Sequence, residues 1–300
     1  MINDKFVSKG AASFTLDDDR EKQVYYFLLL PKLTMLAFSS ALEPLRIVNQ
    51  LTQKEIYNWH ILTPGNMPVT CSNGVVISPD TELEHVQKNA TIFVCSGVEP
   101  MFTADKQVIN WIRKQHRMGS KFGGICTGAY ALAKAGIIGP SKFTLHWENQ
   151  PGFIETFPEL LPTQSLFEIE ENLITCGGGS AATDMMLHLI EESLGREVAI
   201  VVADMCIHKR ASGQKAPQKS SLSVALGSRN LHLISAIQVM TETVEEPLPL
   251  VKMCEILKIS RRQLERLFKR YTQQSPIQFY YSCLLYTSPS PRDLSTSRMP

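Results

Sequence analysis

The sequence has no cysteine pair at C-x-x-C spacing, no long hydrophobic run, no internal repeat and no marked excess of either charge. Each absence removes a class of protein. Without paired cysteines there is no zinc-ribbon or dithiol redox motif, and no metal site is expected. The longest apolar stretches, such as Val24–Leu30, fall far short of the about 20 residues needed to cross a bilayer. Residues 1–22 carry Asp17, Asp18, Asp19 and Glu21 and lack the apolar centre of a signal peptide, so they read as a disordered leader. The seven cysteines (Cys71, Cys95, Cys126, Cys176, Cys206, Cys254, Cys283) are odd in number and scattered. That favours reduced thiols and a cytoplasmic protein over a disulfide framework.

What is present is ordinary globular material: 300 residues, 44% hydrophobic and 20% charged. At about 100–200 residues per domain, this length accommodates two domains. Short runs, most of them β-branched or aromatic (Val24–Leu30, Trp59–Leu62, Thr91–Cys95, Lys121–Ile125, Leu173–Thr175), alternate with amphipathic stretches (Ser39–Leu51, Asp105–Met118, Thr127–Ala135, Ala181–Leu194). Such alternation predicts βαβ units and an α/β fold, a mostly parallel sheet between two helical layers, over residues 23–208. Residues 209–228 hold Gly213, Pro217, five serines and little apolar periodicity, and read as a linker. A small all-α region is expected over 229–282, with helices Leu231–Met240, Val251–Leu257 and Arg261–Tyr271.

The whole-chain charge of +1 hides a local concentration. Between Val251 and Tyr271 stand seven basic residues, opposed only by Glu255 and Glu265. Lys258, Ile259 and Ser260 form a tight turn, and Ser260 is a suitable N-cap for the helix that follows. In that helix Leu264, Leu267 and Phe268 make one apolar face, leaving the other face basic. A short helix, a turn and a basic amphipathic helix form a helix-turn-helix, which lays its second helix in the DNA major groove. Arg261, Arg262, Gln263 and Arg266 are the expected base-reading residues, with Lys269 and Arg270 meeting phosphate. The bland alternative is a solvated basic helix. The string SRRQLERLFKRYTQQSPIQFY settles the choice by resemblance: it is similar to the first helix-turn-helix of AraC-type regulators, with Gln274 where those have glycine. Cys283–Pro300 departs from that pattern and resembles the translation of a sequencing-library adapter; it is set apart as a non-native tail, and the resemblance implies that 229–282 is a partial AraC-type domain holding the first of two helix-turn-helix units.

Upstream, Phe122–Ala133 (FGGICTGAYALA) joins a strand to a small-residue helix through a tight turn at Cys126. The arrangement matches a nucleophile elbow with Cys in place of Ser. The helix N-terminus is expected to lower the thiol pKa. The region resembles the PfpI-type, class I glutamine-amidotransferase-like fold, a flavodoxin-like architecture. With FLLLP, ALEPLR, LHWEN and ITCGGGSAATDMMLHLI, the whole is similar to GlxA-type AraC regulators, nearest those of carnitine and glycine-betaine catabolism. The resemblance implies a DNA-binding transcription regulator, an activator and homodimer gated by a small quaternary-ammonium metabolite, with double-stranded DNA as partner and no membrane association or cofactor.

An enzyme is the competing class, a cysteine-dependent hydrolase or amidase. The residue after Cys126 is Thr127 where peptidases of the fold carry His, and His146-Trp147-Glu148 follows only 20 residues on. No catalytic residue is therefore assigned. A redox sensor using Cys126 is a third reading. For an effector pocket the expected residues are Cys126, Thr127, His146, Gly97, Glu43, Tyr130 and Trp147. Tyr130, Trp147 and Phe102 are candidate faces for a cationic ligand, with core packing as the commoner alternative for each. Backbone N–H groups near Gly97 and Cys126 would hold its carboxylate. Gly177-Gly178-Gly179 lacks the lysine of a P-loop and is read as close helix–strand packing.

Overall fold

In the computed structural model, residues 10, 12–15, 22–83, 86–88, 90–210, 218, 231–243, 246–272 and 274–287 are described. The chain divides into two compact units, Met1–Gln218 and Lys219–Pro300. In the first, strands β1 (Gln23–Leu29), β2 (Tyr57–Leu62), β3 (Val69–Thr70), β4 (Val76–Ile77), β5 (Thr91–Cys95), β6 (Lys121–Ile125), β7 (Phe167–Ile169) and β8 (Leu173–Cys176) alternate with helices. These are α1 (Met35–Thr52), α2 (Pro100–Thr103), α3 (Lys106–Arg117), α4 (Ala129–Lys134), α5 (Gln150–Thr156), α6 (Ala181–Leu194) and α7 (Arg196–Met205).

The main sheet runs β2-β1-β5-β6-β8-β7, parallel except for β7, which pairs antiparallel with β8 at the edge. This is the flavodoxin-like α/β architecture expected from the alternation. Both faces of the sheet are covered, which is why β1 is apolar along its length. Phe27 and Leu29 point to a core shared with α1, α6 and α7, whereas Tyr26 and Leu28 point to one shared with α3, α4 and α5. Each such buried side chain contributes about 1.5–3 kcal/mol.

Some boundaries differ from expectation. Helix α1 begins at Met35, four residues before the expected Ser39, whose hydroxyl donates back to the Met35 carbonyl at 3.0 Å from within the helix. The predicted linker lies outside the described residues except for Lys209, Arg210 and Gln218. Part of the presumed disordered leader is docked, since Ala12 and Phe14 pack on the core and the Phe14 amide donates to Leu51 O at 2.8 Å. That bond satisfies a carbonyl in the last turn of α1, which has no partner within the helix.

The second unit contains α8 (Leu231–Glu242), α9 (Leu250–Leu257), α10 (Arg261–Thr272) and α11 (Pro276–Thr287). Its core is built from Leu233, Ala236, Ile237, Met240, Met253, Leu257, Leu264, Phe268 and Tyr280. Helix α11 takes in Cys283–Thr287, the first residues of the segment set apart as a tail without helical character; no proline interrupts the backbone before Pro289.

Candidate functional site

Two sites emerge, one in each unit. In the first, β6 delivers the chain to Cys126 at the carboxyl end of the sheet, where open α/β sheets bind ligands. Cys126 adopts φ +60°, the strained conformation of an elbow, and is buried. Two glycines make that turn possible. A Cβ on Gly128 would stand 2.0 Å from Val94 O, and one on Gly178 would stand 2.6 Å from Cys126 Cβ. The Gly177–Gly179 run thus permits close approach to the elbow.

The Cys126 sulfur lies 3.7 Å from the Thr34 hydroxyl. Thr127 turns its hydroxyl to donate to Gly97 O at 2.7 Å, tying the elbow to the end of β5. The His146 amide donates to Cys126 O at 3.0 Å, so the 144–147 loop is fastened to the same turn. His146 stacks loosely on Trp147, with ring centroids 5.6 Å apart, and its Nδ1 lies 3.9 Å from Glu148 Oε2.

The expected lowering of the thiol pKa does not occur. Burial pushes the Cys126 thiol up, hydrogen bonds from Thr34 and the Thr127 backbone offset only part of the rise, and the Glu148 charge adds to it. Desolvation outweighs the helix terminus here. Burial also holds His146 below the ordinary histidine range, against the opposing charge of Glu148. At neutral pH the site therefore presents a thiol and a neutral imidazole, not the thiolate–imidazolium pair of an activated nucleophile. Cys176, whose carbonyl accepts from the Cys126 amide at 3.1 Å, is pushed up to about 12 by burial. Alkylation of Cys126 by iodoacetamide should accordingly be slower at pH 7 than that of free cysteine. Its rate should keep climbing past the pH at which free cysteine levels off. A fast rate that is flat above pH 7 would contradict this ionisation state.

Other expected pocket residues sit elsewhere. Tyr130 is core: its ring packs edge-on to Phe153 at 5.0 Å, and its hydroxyl donates to Asn149 O. Glu43 pairs with Arg46 at 2.7 Å, and its charge acts on Cys206, not on the elbow. Phe102 is 85% exposed. Of the three aromatics, only Trp147, 38% exposed beside His146, offers a face at the elbow. The Cys126 amide cannot serve a carboxylate while it donates to Cys176 O. Thr34 and Gln218 were missed by sequence reasoning. Gln218 Oε1 accepts from the Trp147 amide at 2.9 Å, and its Nε2 donates into the 144–145 loop.

In the second unit, Lys258 in the left-handed conformation (φ 52°) ends α9 and turns the chain into α10. Ser260 and Gln263 form a capping box: Ser260 Oγ accepts from Gln263 N at 3.2 Å, and Gln263 Oε1 accepts from Ser260 N at 3.1 Å. Gln263 is thereby committed to the cap, and Arg261 is paired with Glu265 at 2.9 Å. Arg262, Arg266 and Lys269 follow one another at helical spacing along the exposed face, opposite buried Leu264 and Phe268. Arg270 lies over the Tyr271 ring at 5.3 Å.

The profile of the DJ-1/PfpI family matches residues 39–192. The chain is 37% identical over 258 residues to the HTH-type transcriptional regulator CdhR of Pseudomonas aeruginosa, covering 86% of this chain and 76% of that protein. It is 36% identical over 256 residues to the HTH-type transcriptional regulator GlxA of Rhizobium meliloti, covering 85% and 79% respectively. Among solved structures, an AraC family transcriptional regulator from Pseudomonas putida superposes with a TM-score of 0.55 at 20% identity. That match covers 61% of this chain and 99% of the other, and it shows the fold alone.

Proposed function

The chain belongs to the DJ-1/PfpI family, in the GlxA-type branch of AraC transcription regulators, and from that premise we propose that a small metabolite at the Cys126 elbow gates its binding to DNA. The relatives CdhR and GlxA, 37% and 36% identical, are both named HTH-type transcriptional regulators, which supports regulation over catalysis. Metabolite gating is the reading that the elbow supports. The carrying observation is a strained, glycine-lined turn at the carboxyl end of a parallel sheet whose thiol is held protonated. A turn kept for chemistry would activate its sulfur; one kept for recognition need only hold its shape. Betaine or carnitine is the effector class, with Trp147 as the aromatic contact for a quaternary ammonium.

Residues 23–208 act as the sensor, 209–228 as the connector and 229–282 as the DNA-binding region of a cytoplasmic homodimer that activates transcription. Gating requires the effector to favour the DNA-competent state by its differential affinity. The test is fluorescence anisotropy of the full chain on its own promoter duplex, with and without glycine betaine or carnitine, across a salt series. Affinity should rise with effector and fall steeply with salt, because phosphate contacts release counterions. Binding that ignored both effectors would overturn the gating. Binding indifferent to salt would overturn the assignment of the basic helix.

A further inference from the structure

The carboxamide of Gln218 lies in a slot built from Thr144, Leu145, Trp147, Ser165 and Gly177. Its nitrogen donates toward three oxygens: Thr144 Oγ1 at 2.9 Å, Leu145 O at 3.0 Å and Ser165 O at 2.9 Å. Its oxygen accepts from the Trp147 amide at 2.9 Å, and its own backbone amide donates to Gln164 O at 3.1 Å. Thr144 and Leu145 are fully buried, so the floor of the slot is dry and polar. Gly177 keeps the space open: a Cβ there would stand 2.4 Å from Gln218 Cδ, and the three atoms nearest it would all belong to the Gln218 side chain.

These groups specify a ligand. Three acceptors converge on one nitrogen and a single donor faces the oxygen beside it. An uncharged amide has two N–H hydrogens for those three acceptors; a primary ammonium has three. A quaternary ammonium has none and would forgo all three bonds, leaving Leu145 O only the donor from Gln150 Nε2 at 3.1 Å and Ser165 O only that from Thr144 Oγ1 at 3.1 Å.

We propose that this slot is a binding subsite for small molecules that carry an N–H-bearing nitrogen beside a carbonyl or carboxylate oxygen, and that Gln218 occupies it as a built-in substitute. α-Amino acids and primary carboxamides share that chemistry. The inference rests on the sensor reading and extends it to a second ligand class. The slot shares its walls with the elbow: His146, next to Leu145, is bonded to Cys126 O, and Gly178, next to Gly177, abuts the Cys126 side chain. A ligand that displaces Gln218 would free the chain at the residue where the first unit ends and leave that same loop in place around the elbow.

The test uses the full chain, titrated by calorimetry with glycine, acetamide and glycine betaine. An occupied slot lowers apparent affinity by the fraction of time it stands open. Gln218→Ala and Gln218→Glu should each bind glycine or acetamide about tenfold or more tightly than the parent. The glutamate variant is included because its carboxylate, facing three acceptor oxygens, cannot stay in place. Gain with glycine alone assigns the ammonium class, and gain with acetamide alone assigns the carboxamide class. Adding Gly177→Val to Gln218→Ala should refill the slot and abolish the gain while thermal unfolding stays cooperative. No gain in either Gln218 variant overturns the inference, as does an equal gain for betaine. If DNA binding still responds to betaine in that case, the sensor reading survives and only the subsite falls. If DNA binding ignores every small molecule while the calorimetric gain is present, the subsite stands and the gating falls.

Discussion

Phe268→Ala is expected to unfold the C-terminal unit and abolish DNA binding while the α/β unit remains folded. Phe268 is fully buried on α10, and its ring packs edge-on against Phe279 with centroids 5.4 Å apart. It belongs to a core of few large side chains, with Leu264, Met253 and Tyr280 among its members. Truncating a buried Phe costs about 3–5 kcal/mol in lost transfer energy and residual cavity. At roughly 0.05–0.15 kcal/mol per residue, a helical unit of this size holds only a few kcal/mol in reserve. The substitution consumes most or all of it. Denaturant unfolding followed by circular dichroism should show the helical transition lost or moved to far lower denaturant, with the transition of the sheet-containing unit unchanged. Retention of promoter binding within twofold of the parent would show that this core is not what holds α10 in place.

The success and failure of the sequence reading follow from how local each signal is. Strand β5 was legible to the residue because a strand buried on both faces is a continuous apolar run between turn residues, whereas β6 (KFGGI) was placed by the tight turn that follows it at Cys126. Strands β3 and β4, of two residues each, and β7, of three, carry no period to read. Helix α6 spans Ala181–Leu194 as expected, whereas α7, which follows after the single residue Gly195, was not expected. At the elbow, glycines on either side of Cys126 announced the turn. The state of the thiol was not legible, since desolvation depends on everything packed above it. Thr34 meets the sulfur across 92 residues of sequence and Gln218 meets Trp147 across 71, so no spacing rule finds either. Tyr130 was left open between core and ligand wall because an aromatic in a glycine-rich motif suits either. Only its phase on α4, toward Phe153, decides. In α10 the Ser260–Gln263 spacing is the signature of a capping box. The glutamine had been read as a base contact, and its hydrogen bonds to Ser260 give it the other role.

That reassignment concentrates the expected specificity on two residues. Arg262 and Arg266 lie four apart on the exposed face of the basic helix, early enough in it to reach base edges. Arg261, held by Glu265, and Gln263, held by the cap, present less freedom to do so. Arg262→Ala and Arg266→Ala should each weaken binding to the cognate promoter by about 5- to 150-fold, the 1–3 kcal/mol of a bidentate guanine contact. Unrelated duplex should be affected far less, so the ratio of specific to bulk affinity falls. Lys269→Ala should behave differently. A phosphate contact carries no sequence information, so both affinities drop together and the slope of log affinity against log salt shrinks by about one. Neither arginine touches the buried face, so the thermal transition of each variant should match the parent, which separates lost recognition from lost folding. Equal losses on cognate and unrelated DNA for both arginine variants would move them to the phosphate class and leave the base-reading role to another part of the protein.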